Sequence, residues 1–259
     1  MLSDFKKQEI IETIICSIRD KLIGYSPETS VMPFHIRLLG RDRMALFSFL
    51  QPLNTTFGTT IYEPVAISLA DRRFIEKRRQ KAPETIISSE AHIVIQQIMD
   101  ELTAGNESSN KKSEISRIRA VCQKGEAHKV KLTKVDVYLR SADTVYMFDI
   151  KSVKPNIGEF KGFKRTLLEW VAAQLYVEPD INIVTGLAIP YNPYEPKPYE
   201  RWTMQGIFDL PEEVLVAKEW WNFLAGDKIY EDLLHCFEIA GIILRKEIDQ
   251  YFERFENQR

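Results

Sequence analysis

The sequence predicts an α/β fold in which a mixed central sheet, an antiparallel hairpin joined to a parallel strand, is flanked by helices. Three observations predict it. Residues 130–152, VKLTKVDVYLRSADTVYMFDIKS, hold two β-branched, aromatic and apolar runs around a turn of Ser, Asp and Thr, the pattern of a hairpin covered on both faces. Residues 159–176 then place Phe160, Phe163, Leu167, Val171 and Leu175 at helical spacing. Asn182 to Ile189 reads as a further strand, and strand, long helix, strand implies a right-handed crossover to a parallel neighbour.

The other elements follow along the chain. Residues 4–24 spell an amphipathic helix with Ile11, Ile14, Ile15, Ile18 and Leu22 on one side, ended by Ser26-Pro27. Residues 32–39 read as extended, and a helix from Arg43 to Leu50 stops near Pro52. Gly58 and its threonines make a turn feeding a helix that holds Glu63 and Pro64 early and Arg72, Arg73, Lys77, Arg78, Arg79 and Lys81 at its end. Ser88-Ser89 caps a helix that Gly105 terminates. A polar loop, NESSNKKS, and a short helix over 114–122 lead to the hairpin, and Pro155 to Gly158 turn the chain after it. The tract 190–202 is too rich in proline for a helix or an inner strand. Helices over 212–224 and 228–256 complete the chain, the last with Leu233, Phe237, Ala240, Leu244, Ile248, Tyr251 and Phe255 along one stripe. No repeat or boundary signal divides residues 1–259, so a single domain is expected, its core at about 60–190 between helical flanks.

Parity argues the chemistry of the hairpin. Side chains alternate across a strand, so Asp149 and Lys151 share one face. If Ser141 to Thr144 form a four-residue loop, Arg140 pairs with Val145 and Asp136 lies opposite Asp149. Like charges so placed repel, and a hard cation such as Mg²⁺ converts that repulsion into coordination. A three-residue loop would separate the two acids onto opposite faces. The bland alternative makes all three residues the wet side of an amphipathic hairpin, but the strands do not alternate cleanly between polar and apolar.

Composition narrows the class. With 44% hydrophobic and 28% charged residues the chain suits a soluble protein with an ample core. No apolar run approaches a membrane span, and the charged N-terminus lacks a signal-peptide core. Cys16, Cys122 and Cys236 are unclustered, which fits a reducing cytoplasm rather than a zinc site or a disulfide scaffold. The formal charge of −2 requires any nucleic-acid contact to come from local basic surface. His35, His92, His128 and His235 show no metal-site spacing; Gln174, on the helix after the motif, is within reach of the site but reads as a buried or surface amide, and Trp202, Trp220 and Trp221 read as packing or dimer-interface residues rather than base-stacking platforms.

Helix, hairpin bearing Asp136, next strand bearing Asp149-Ile150-Lys151, helix, parallel strand: this order resembles the PD-(D/E)XK nuclease superfamily and its restriction-endonuclease-like core. Val135 stands where that motif usually has proline. The resemblance implies that Asp136 and Asp149 are metal ligands, that Ile150 offers its main-chain carbonyl, and that Lys151 is the motif lysine. It also implies a glutamate from a preceding helix, for which Glu63 is favoured over Glu90, because an acid at a serine-capped helix start is ordinary. The stretches PFHIRLLGRDRMALFSFLQPLNTTFGTTIYEPVA and IPYNPYEPKPYERWT look like the TdeIII-type group of type II restriction endonucleases. That likeness implies a homodimeric enzyme that uses Mg²⁺, with Mn²⁺ able to substitute, and cuts double-stranded DNA at a short, GGNCC-like palindrome.

Arg or Lys can bridge the two acceptors of guanine in the major groove, and most protein contacts go to phosphate. Candidates to touch DNA are Arg41, Arg43, Arg72, Arg73, Lys161, Lys164 and Arg165, with Arg37 and the rest of the 72–81 run behind them. Two other readings compete: a structure- or damage-specific repair nuclease of the same fold, and a non-catalytic DNA-binding protein whose acids are structural.

Overall fold

Two apolar strands, β4 (Val135–Arg140) and β5 (Thr144–Ile150), form the expected hairpin, with Arg140 opposite Val145. The computed structural model describes all residues except 28–31, 71–72, 106, 152–158, 200–203 and 256–259, and the side chains of residues 51, 54 and 55. The turn expected at 155–158 lies outside the described residues. Helix α7 (Phe160–Val177) carries the chain from β5 to β6 (Asn182–Ile189), which pairs parallel to β5. The result is a five-stranded mixed sheet in the order β1-β4-β5-β6-β7, where β1 is Glu76–Lys81 and β7 is Val214–Val216. A two-stranded sheet, β2 (Ile86–Ser88) with β3 (Ala127–Lys129), stands beside it in sequence.

The central strands β4, β5 and β6 are covered on both faces, which is why they are largely apolar, whereas the edge strand β1 is charged. Tyr138, Val145 and Met147 join Leu167, Leu168, Trp170 and Val171 of α7 in one core, with residues of α5 (Ser89–Ala104) and α6 (Lys111–Arg119). Ser88 caps α5 by accepting from Ala91 N, and Gly105, at φ 69°, ends it as expected. The other face is aromatic: Phe148 lies 4.8 Å from Trp220 and 5.6 Å from Phe223, both on α9 (Lys218–Ala225), and Tyr146 reaches Phe74 and Phe223.

The chain divides into two compact units: residues 69–226, containing the sheet, and residues 1–68 with 227–259, which are helical. In the helical unit α1 (Asp4–Gly24) packs its isoleucine stripe on α10 (Tyr230–Glu253), tied by Arg19 to Glu247 and Lys7 to Asp232.

Several expectations need correction. Residues 33–39 form α2 (Pro33–Leu39) rather than an extended segment, because Pro33 presets the first turn. Helix α3 (Arg41–Phe57) runs through Pro52 instead of stopping. Proline cannot donate to the Ser48 carbonyl, and the Tyr25 hydroxyl does so at 2.6 Å. A π-helical turn, Gly58–Tyr62, then leads into α4 (Glu63–Leu69). The basic run expected at the end of that helix instead supplies β1, an edge strand antiparallel to β4. The helix expected over 212–224 is broken into α8 (Leu210–Glu213), β7 and α9.

Candidate active site

The register that pairs Arg140 with Val145 and Val137 with Phe148 brings Asp136, one residue on, opposite Asp149. Both acids share the α7 face with Tyr138 and Met147, at the end of the hairpin where its apolar run gives out. Asp149 is 8% exposed, and its Oδ2 lies 2.8 Å from Lys151 Nζ. The Lys151 ammonium also sits over the Phe163 ring, 4.5 Å from its centroid. Asp136 is held at both oxygens: Oδ2 accepts from Ile150 N and Oδ1 from Gln80 Nε2, each at 2.8 Å. A cleft of about 440 Å³ opens over this group, with Thr133 and Lys134 on one wall and Gly162, Phe163 and Thr166 of α7 on another. Glu159 also lines it, and Trp170 Nε1 fixes one wall by donating to Thr133 O at 3.1 Å. The place accords with α/β sheets generally, whose ligands bind beyond the carboxyl ends of parallel strands.

Burial pushes the Asp149 carboxyl up to about 7 against the opposing pull of Lys151, and the neighbouring Asp136 adds to the rise. Two ionised acids facing each other across neighbouring strands repel, and a proton or a cation between them relieves that repulsion. This donor set, hard oxygens from two acids in a wet cleft, fits a magnesium-class ion that retains several waters. Lys151 N donates to Ala188 O of β6, so Ile150, one residue back, turns its own N–H and C=O towards β4 and Asp136. Among the described residues no group of three or more His, Cys, Asp or Glu side chains is disposed to hold a metal.

The family described as type II restriction endonuclease, HinfI, matches residues 3–241. The chain belongs to this family. The type II restriction enzyme MjaII of Methanocaldococcus jannaschii is 27% identical over 242 residues, covering 89% of this chain and 61% of that enzyme. The chain thus spans about three fifths of the length of the curated relative it matches. Membership in the HinfI family agrees with the restriction-endonuclease resemblance of the sequence and with the mixed α/β sheet.

The other expected site residues lie on several elements of the two units. Glu63 is buried at the start of α4 in the helical unit, whereas Glu90 is exposed in the first turn of α5 in the sheet unit. Arg41 and Arg43 open α3, and Arg43 donates to Leu39 O at 2.7 Å. Arg72 lies outside the described residues. Arg73 donates to Phe223 O and stacks on Phe74 and Phe223. Lys161 is exposed in the first turn of α7, and Arg165 donates to Gln96 Oε1. Lys164 must be corrected: it is fully buried, with its ammonium 2.6 Å from both Glu114 and Glu213, and has no surface to offer a phosphate. Gln174 is buried and donates to Glu178, and Trp220 and Trp221 pack in the core. Sequence reasoning missed Gln80, Lys134 and Thr166. Lys134 was signalled by adjacency to the motif, but Gln80 was hidden in a run that looked helical.

Proposed function

We propose that the protein is a PD-(D/E)XK-type, site-specific endonuclease that hydrolyses phosphodiester bonds of double-stranded DNA with Mg²⁺. The observation that carries this reading is the meeting of Asp136 and Asp149 across β4 and β5, with the Lys151 ammonium on Asp149, in a chain of a restriction-endonuclease family. Asp136, Asp149 and the Ile150 carbonyl would hold the ion, which when bound lowers the pKa of water and offsets charge building on phosphate. Lys151, steadied by Phe163 and Asp149, orients the attacking water and a phosphate oxygen. Glu63 is the proposed additional acid. Lys161, Arg165, Arg41, Arg43, Arg72 and Arg73 are the proposed DNA contacts.

The finer reading is a homodimeric cytoplasmic enzyme of TdeIII type, using Mg²⁺ or Mn²⁺ at a GGNCC-like palindrome. It rests on the stretches around residues 33–66 and 189–203. Plasmid DNA incubated with the protein and Mg²⁺ should yield discrete fragments, and EDTA should abolish them. Sequencing the cut ends gives the site. Lys151→Ala should retain DNA binding and lose cleavage by at least 10²-fold, a loss typical of removing one transition-state donor. Untouched plasmid, or full turnover by Lys151→Ala, refutes the respective claim.

A further inference from the structure

Gln80 lies on the edge strand β1, where Arg79 pairs with Val137 and Lys81 with Val135. That register sets Gln80 opposite Asp136, just as Asp136 stands opposite Asp149, so the three form one row across β1, β4 and β5. Its backbone is anomalous: φ is 49°, the left-handed region, although both neighbours keep their pairing. A non-glycine residue in a strand holds that conformation only where its surroundings fix it, and such positions gather at functional sites. Glycine or asparagine would take it with less strain, so the glutamine side chain is what the position retains.

That side chain donates from Nε2 to Asp136 Oδ1 at 2.8 Å. Only this orientation of the amide is consistent, because the amide oxygen turned towards a carboxylate would repel it. With Ile150 N on Oδ2, the carboxylate is clamped at both ends and its plane is fixed. Each oxygen keeps a free lone pair for a cation, since a carboxylate has about four acceptor sites. A neutral donor does this without competing for the cation as lysine would, or adding the repulsion of a third acid.

We infer that Gln80 is a positioning residue that holds Asp136 in metal-binding orientation, an inference that rests on the reading of the Asp136–Asp149 pair as the metal site. Outer partners that orient ligands typically contribute on the order of 10- to 100-fold in metal affinity.

The test is calorimetric titration of Mn²⁺ into the 259-residue chain, with thermal melting of each variant. Gln80→Gly removes the amide while suiting the left-handed backbone, so its melting temperature should hold or rise. Its Mn²⁺ affinity should fall on the order of 10- to 100-fold. Gln80→Asn tolerates the same backbone with an amide one methylene short, and should show the same loss if the glycine variant fails to fold. Asp136→Asn should abolish binding. If Asp136→Asn abolishes binding but both Gln80 variants bind Mn²⁺ like the parent, this inference is overturned and the metal-site reading stands. If the parent binds no Mn²⁺, or Asp136→Asn binds it unchanged, the reading fails and this inference with it.

Discussion

Four donors converge on the carboxylate of Glu213: Lys111 Nζ at 2.7 Å, Lys164 Nζ at 2.6 Å, Asp209 N at 2.9 Å and, more distantly, Ser109 Oγ at 3.4 Å. Burial alone would raise this carboxyl, yet the two ammonium groups hold it below the usual carboxylate range. A depressed folded-state pKa means the acid stabilises the fold above its unfolded value near 4.5 and loses that contribution as pH falls through the folded value. Stability should therefore decline on acidification below about pH 4.5. Glu213→Gln should unfold about 3–5 kcal/mol more easily in urea at neutral pH, because it strands buried ammonium charge, and should show a shallower acid dependence. The neighbouring Lys164 illustrates the limits of reading charge from sequence. Positions 160, 164, 167, 168 and 171 form one helical stripe, so spacing already placed Lys164 in the core, and its charge argued misleadingly for the surface. The acids of the site were legible for the opposite reason. Charge inside an apolar hairpin stood out, and two-residue parity fixed its facing once the loop length was right.

At the scale of elements, the close approach of β6 to the α8–β7 junction depends on Gly186. A Cβ there would meet the Glu213 carbonyl oxygen at 2.6 Å and its carbon at 3.2 Å, both backbone atoms that cannot swing aside. Gly186→Ala should cost about 1–3 kcal/mol, read as a lowered melting temperature, by forcing these segments apart. The elements that sequence reasoning found share strong periodicity: α1, α5, α7, α10, β4, β5 and β6 each carry an apolar stripe or run. Those it missed lack one. β1 is EKRRQK, and charge is what an edge strand uses to discourage further pairing, so the run looked like a solvated helix end. β7 is only Val214–Val216, too short to interrupt the helical pattern around it. The continuation of α3 past Pro52 depended on a partner, Tyr25, that lies 27 positions earlier and that no local rule anticipates.

At the scale of the whole molecule, the proposed DNA binding would have to overcome a formal charge of −2 through local basic surface. If the target is a palindrome, twofold DNA calls for a twofold protein, and light scattering should return twice the mass of one chain. Affinity for duplex DNA should fall steeply between 50 and 200 mM salt, with a logarithmic slope of roughly −0.9 per phosphate neutralised. A slope near zero would remove phosphate contacts from the account. Among the described residues no helix is long and apolar enough to cross a membrane. The aromatic layer beneath the sheet has one more consequence. All four tryptophans fall within residues 69–226, and Trp170, Trp220 and Trp221 are buried there, so intrinsic emission reports on the sheet unit by itself. Far-ultraviolet ellipticity, by contrast, collects both units, from α1, α3 and α10 in the helical one and from α5 and α7 in the other. Following both signals through one denaturant series therefore shows directly whether the two units melt in concert or in succession.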